Sequence, residues 1–331
     1  MILSSSSPIF IVGPHRAGST LWHNLIAIAP GILRLAEPRF LGRPGQQDFR
    51  FFLRTEVRDL ADDDNVDRLV KACLSRRDVA GLEGAMWKFK GVTAVDDVRL
   101  EQALATRIKA SDRTIGSIAR ILIEELTRFS GCTRACVKFP VEVRHTPTLV
   151  RWFPDCRVVH ITRDPRALAI SKSNDPSGTA MKVGAYPRLA WAIRKAALAL
   201  VVSQYRLSAR MHLRCKGMRN YRLFRYEDLL AEPRNTLVEL CEFIGIDFRE
   251  EMLEPQKGRH EHQPSSLTGK QQKAFDPAAA VRWRKVISPF DDWLVVTLTR
   301  RAMAQLGYNP ETHPILRRFD NNRQAVVCEF P

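Results

Sequence analysis

Residues 8–29 read PIFIVGPHRAGSTLWHNLIAIA. Ile9, Phe10, Ile11 and Val12 make a short apolar run of the kind that forms a strand buried on both faces. Gly13 and Gly18 bracket Pro14, His15, Arg16 and Ala17, a spacing that suits a tight loop whose backbone approaches something closely. Ser19 or Thr20 is placed to cap the helix that follows, in which Leu21, Trp22, Leu25, Ile26 and Ile28 fall mostly at helical spacing. Strand, glycine loop and helix N-terminus together point backbone N–H groups at an anion. A tight turn with no ligand fits the same pattern equally well.

The stretch comes close to the nucleotide-binding loop G-x-x-x-x-G-K-[ST] and departs from it at the decisive place. Ser19 stands where the lysine belongs, and the cation is inside the loop as Arg16. No Walker pattern for Mg²⁺ is evident elsewhere, so the expectation is an anion handled without a metal. A guanidinium suits that task because it stays charged and presents a planar fork of donors.

At 331 residues the chain has the length of one large α/β domain or two smaller ones. Lys and Arg number 52 against 36 Asp and Glu, a net charge of +16. The cations are spread along the chain in tracts no longer than two or three, with no nucleic-acid fold signature. A basic surface around a pocket for polyanionic ligands is therefore expected, and no nucleic-acid partner. No run of about 18 apolar residues exists, so no membrane span is expected. The start, MILSSSSP, is too short and polar for a secretory signal. Seven scattered cysteines fit reduced thiols and a cytoplasmic protein, and Cys132 with Cys136 lacks partner ligands for zinc.

After the first helix, residues 31–43 read as a short strand or turn leading into a loop. Residues 49–57, about 66–74, 98–109 and 114–129 read as helices, so the section from about 45 to 130 is a helical insertion that shapes an acceptor side. Strands follow at 135–139, 156–162 and 221–226. Helices are expected at 145–153, from Pro165 to Ser173, over 187–213, 233–244 and 289–306. Residues 174–185 and 256–274 read as loops. Strands interleaved with helices argue for an α/β fold, a P-loop-like parallel sheet with helices on both faces, in a single domain spanning 1–331. Ligands bind beyond the carboxyl ends of such strands, where Arg16, Lys138 and Arg163 all lie.

These pieces in this order resemble the sulfotransferases that use 3′-phosphoadenosine 5′-phosphosulfate (PAPS), particularly the branch of tyrosylprotein and bacterial small-molecule enzymes. Residues 13–20, GPHRAGST, look like the 5′-phosphosulfate loop, with His15-Arg16-Ala17 in place of the usual P-R-S, so one loop hydroxyl is missing. Arg163-Asp164-Pro165-Arg166 with Ser171 is similar to the 3′-phosphate segment. Arg225-Tyr226-Glu227-Asp228-Leu229 matches the R-Y-E-D-L strand end, and Arg282-Trp283-Arg284-Lys285 looks like the C-terminal G-R-W-R segment.

The resemblance implies a PAPS-dependent sulfotransferase of EC 2.8.2 type, with adenosine 3′,5′-bisphosphate as product and no metal. His15, Arg16, Ala17, Gly18, Ser19 and Thr20 would hold the 5′ end, while Arg163 and Ser171 would hold the 3′-phosphate. Tyr226 would approach the adenine. Ser265 or Ser266, with Lys270 or Lys273, would close over the donor. Arg16 and Lys138 would stabilise the leaving phosphate, and Glu37 would be the general base, with His15 its rival. The competing bland roles are an Arg163 pair with Asp164 or Glu227, a solvent-facing Lys138, and a Glu37 pair with Arg34 or Arg39. His145 and His160 read as helix-surface and strand-core residues. The implied acceptor is a small molecule, lipid or saccharide bearing a hydroxyl, an amine or carbamoyl nitrogen being compatible, and a homodimer is compatible too. The competing function is a P-loop nucleotide kinase, which predicts a lysine before Ser19 and a magnesium carboxylate at a strand end.

Overall fold

Five apolar strands need cover on both faces, and the helices between them supply it. The computed structural model describes residues 7–36, 41, 49–74, 98–140, 142–175, 178–257 and 274–311. Strand β1 (Ile9–Gly13) leads to α1 (Ser19–Ile26) and β2 (Ile32–Ala36). Four helices follow: α2 (Phe49–Phe52), α3 (Asp63–Leu74), α4 (Val98–Lys109) and α5 (Ile115–Phe129). Then come β3 (Arg134–Pro140), α6 (Thr146–Trp152), β4 (Arg157–Thr162), α7 (Pro165–Ser173), α8 (Thr179–Ala185) and α9 (Ala190–Cys215). The chain continues through β5 (Tyr221–Arg225), α10 (Tyr226–Ala231), α11 (Pro233–Ile244), α12 (Ala278–Val281) and α13 (Pro289–Gln305).

The sheet order is β2-β3-β1-β4-β5, and all four pairings are parallel. Ile11 pairs with Lys138, Val12 with His160, and Thr162 with Arg225, so the carboxyl ends of the four strands β3, β1, β4 and β5 lie side by side. Alternation along the strands divides the core. Phe10, Val12, Val137 and Phe139 face the layer containing α3, α4 and α5. Ile9, Ile11, Val159 and Ile161 face the other layer, with Trp22 of α1, Leu168 of α7, Tyr205 of α9 and Val295 of α13. Each fully buried apolar side chain contributes on the order of 1.5–3 kcal/mol. No helix among the described residues is long and apolar enough to cross a membrane, and the six described cysteines are unpaired.

Most described elements stand where the apolar periodicity puts them, and several differ. Neither Ser19 nor Thr20 caps α1: the cap position is Gly18, left-handed at φ 93°, with no side-chain cap bond. Residues 49–57 are an α-turn followed by a π-turn, Leu53–Val57, closed by Arg58 N–H on the Leu53 carbonyl at 2.6 Å. The loop expected over 174–185 contains α8, because Ala180, Met181, Lys182 and Ala185 are good helix formers despite Gly178 before the helix and Gly184 within it. Strand β5 stops at Arg225, and Tyr226 already opens α10.

His160 on β4 is wholly buried between the Tyr221 hydroxyl, 2.5 Å from Nδ1, and the Ser208 hydroxyl, 2.6 Å from Nε2. Burial, reinforced by His212, lowers its pKa to about 3. The folded value lies below the unfolded one, so its contribution is complete above the ordinary histidine range and is lost as pH falls, the unfolded chain taking up the proton first. Urea melts should show about 2 kcal/mol less stability at pH 5 than at pH 7 from this residue; a flat profile would show that His160 is protonated in place. A separate test concerns Gly13, where an added Cβ would sit 2.2 Å from the Ile161 carbonyl oxygen, with φ at +152°. Gly13→Ala should cost on the order of 2–4 kcal/mol in the same measurement.

Candidate active site

The loop after β1 turns sharply because Arg16 takes a left-handed φ of 69° and Gly18 one of 93°. Ala17 N–H closes the turn on the Pro14 carbonyl, and the Ala17 methyl is fully buried. A Cβ on Gly18 would lie 2.5 Å from the Tyr226 ring, so only glycine lets the loop rest on that ring. The amides of Ser19 and Thr20 begin α1 and have no helix carbonyl behind them.

Three groups assigned from sequence to two ends of one ligand meet at this loop. The Arg16 guanidinium donates from Nε to Ser171 Oγ at 3.2 Å, joining the β1 loop to α7. Arg163, one residue past β4, lies with its guanidinium carbon 4.3 Å from the Tyr226 ring centroid. It reaches the Arg16 carbonyl at 3.5 Å and the Ala279 carbonyl at 3.5 Å. Its Nε is buried and meets no hydrogen-bond partner among the described residues. Asp175 stands 4.0 Å from Arg16 and 2.9 Å from Lys172.

On the other side of the loop Lys138 projects from β3 toward α1 and donates to Thr20 Oγ1 at 3.1 Å. It is buried, not the solvent-facing strand-end lysine that was the bland alternative. Behind it, His23 Nε2–H donates to the Cys136 carbonyl at 2.9 Å, and Arg34 Nε donates to His23 Nδ1 at 3.2 Å. With one ring nitrogen donating and the other accepting, His23 is a neutral imidazole of fixed tautomer. Burial pushes the nearby Cys136 thiol well up, so it is no nucleophile. Strand β2 ends at Ala36, in register with Lys138. Glu37 follows directly and lies outside the described residues, as do Ser265, Ser266, Lys270 and Lys273. His15 is partly exposed in the loop.

The sulfotransferase family model matches residues 8–250, a span that contains the loop, Lys138, the Arg163 segment and the Tyr226 helix. The chain belongs to the sulfotransferase family. Among curated proteins no sequence matches. Of solved structures, the sulfotransferase domain from the curacin biosynthetic pathway is similar at 18% identity, covering 92% of this chain and 98% of that one, with a TM-score of 0.55. The sulfotransferase domain from the Synechococcus PCC 7002 olefin synthase is similar at 22% identity over 89% and 94% of the two chains, with a TM-score of 0.51. Both have this α/β fold. The kinase alternative is set aside by the family.

What the sequence motifs did not separate is which residues of this sulfotransferase meet the site and which support it. Arg166 carries the same motif as Arg163 but is turned away. It makes two bonds to Asp164, at 2.9 and 2.7 Å, lies 3.8 Å from Asp292, and stacks 4.3 Å over Trp283. Asp164 therefore pairs with Arg166, and its side chain also caps α7 through Arg166 N–H. Glu227 likewise does not hold the Arg163 side chain. One carboxylate oxygen accepts the Asp164 N–H at 3.0 Å and the other accepts the Tyr308 hydroxyl at 2.7 Å. Burial pushes the Glu227 carboxyl up, and those two donors oppose the shift. Tyr308 lies 82 residues beyond Tyr226 on the last described segment, so no local signal marked it; the isolated Tyr after Gly307 was the single clue.

Glu227 thus fixes the backbone on which Arg163 stands, through Asp164 N–H. Tyr308→Phe should remove a hydrogen bond to a charged acceptor and lower the unfolding free energy by about 1.5–3 kcal/mol. Chemical denaturation checks this, and an unchanged midpoint would show that Tyr308 does not brace the segment.

Proposed function

We propose that this sulfotransferase moves the sulfuryl group of PAPS to a hydroxyl of a small-molecule, lipid or saccharide acceptor, with Glu37 as general base. The observation that carries the donor assignment is the cluster of Arg16 and Arg163, past the ends of adjacent strands β1 and β4, with Ser171 of α7. A phosphate with two negative charges suits two guanidinium groups and a hydroxyl, and the buried, unpartnered Arg163 Nε is a donor available to such an oxygen. The glycine-built loop with the free helix-start amides of Ser19 and Thr20 suits a second phosphate.

PAPS supplies an activated sulfuryl group whose leaving group is a phosphate. In this reading Arg163 and Ser171 hold the 3′-phosphate. Arg16 sits between the two ends, its backbone in the 5′ loop and its side chain on Ser171. Lys138, desolvated and already directed at the start of α1, meets the charge that grows on the leaving oxygen. Glu37, one residue beyond the Ala36–Lys138 register pair, takes the proton from the acceptor hydroxyl. Alignment of acceptor, sulfur and leaving oxygen supplies much of the rate, as it does for phosphoryl transfer through a loose transition state. His15, Ala17 and Gly18 complete the loop, Tyr226 backs it, and Ser266, Lys270 and Lys273 belong to the segment assigned to cover the donor. The helices between about 45 and 130 shape the acceptor side of a single domain.

Thermal shift with adenosine 3′,5′-bisphosphate against ATP with magnesium tests the donor: stabilisation is expected from the first, and stabilisation by ATP alone would reject it. Arg163→Ala should weaken binding of the bisphosphate by about 1.5–3 kcal/mol in calorimetric titration. Glu37→Gln should leave that affinity intact and lower kcat by about 10²–10⁴-fold; unchanged turnover would end its role as base.

A further inference from the structure

Every charged side chain between Asp175 and Glu227 is a lysine or an arginine. At the start of this stretch α8, the single turn Pro187–Leu189 and the first turn of α9 stand almost wholly in solvent. Four large apolar side chains are exposed there: Trp191 at 74%, Tyr186 at 61%, Met181 at 60% and Leu189 at 56%. Scattered single apolar residues are ordinary on a protein surface, but four within residues 181–191 form a patch that water does not favour.

The charges beside them are all of one sign. Lys182, Arg188 and Arg194 are exposed, and among the described residues none of the three is in an ion pair. The patch continues onto α13 through Lys195, whose ammonium lies 5.0 Å over the exposed Phe290 ring. Asp291 beside Phe290 is already neutralised by Lys195 at 2.5 Å.

We propose that this face rests on an anionic lipid bilayer. Lys182, Arg188 and Arg194 suit anionic headgroups. Trp191 and Tyr186 suit the headgroup boundary, where a ring needs one apolar and one wet side. Leu189 and Met181 have nothing to offer a purely polar polyanion; they need hydrocarbon, and this selects a bilayer over a nucleic acid. α8 begins next to Asp175, the carboxylate beside Arg16, so the bilayer lies alongside the strand-end site.

Co-sedimentation of the full chain with vesicles tests this, using phosphatidylcholine alone and phosphatidylcholine with phosphatidylglycerol. Binding to the anionic vesicles alone, weakened by salt, is expected. The double variant Trp191→Ala with Leu189→Ala should lose about tenfold or more in partitioning, and the triple variant Lys182→Glu, Arg188→Glu, Arg194→Glu should stay in the supernatant. Circular dichroism and the thermal midpoint confirm that each variant is folded. Full chain left in the supernatant with anionic vesicles at low salt overturns the proposal. So does binding that the charge reversal abolishes but the loss of Trp191 and Leu189 leaves unchanged, since that is adhesion to any polyanion.

Discussion

The Tyr226 ring touches Gly18 of the β1 loop and carries the Arg163 guanidinium that follows β4. Three neighbouring strands end at this one contact, and it sets how far the loop lies from the arginine. A side chain on Gly18 would strike the ring, and φ near +93° is strained for any other residue. The two constraints coincide at one position. The backbone of the loop and the guanidinium that follows the next strand are thus held by packing on one ring.

Around that contact the charges sort by burial. Arg166 and Asp164 are both nearly sealed from water, bound through two hydrogen bonds and backed by Trp283. Removing one partner of such a pair costs about 3–5 kcal/mol, because the other is left uncompensated. The exposed pair of Arg234 with Glu250, also with two short bonds, contributes far less, because water screens it. Arg166 is therefore committed to the architecture. Arg163, by contrast, has its buried Nε unpartnered among the described residues and its remaining hydrogen bonds long, at 3.5 Å. Both arginines, three residues apart, lie 4.3 Å over an aromatic ring, and what separates them is that Arg166 is bound to a carboxylate while Arg163, among the described residues, hydrogen-bonds to carbonyls only.

The same division explains Glu227. A carboxylate this close to the cationic cluster would compete with an anionic ligand if it paired with Arg163. Its two oxygens instead accept Asp164 N–H and the Tyr308 hydroxyl. The negative charge is spent on backbone placement, and the cluster stays net positive toward the strand ends.

Much of this was legible in the residue order. The unbroken apolar strand at 9–12, the largely buried strand at 157–162, the paired glycines and the spacing of Arg163 and Ser171 are local patterns, and local patterns survive translation into structure because strand burial and helix periodicity act over a few residues. The family, the sheet and the placing of Arg16, Lys138 and Arg163 near the carboxyl ends of neighbouring strands follow from them. Glycine as the cap of α1, the seating of Lys138 on α1 and the bracing by Tyr308 were not legible. Each depends on a partner far away in sequence: Tyr226 against Gly18, Lys138 on the Thr20 hydroxyl, Glu227 beneath Tyr308. Such contacts are decided by which side chains the sheet order brings within hydrogen-bond reach, and no periodicity along the chain encodes that distance.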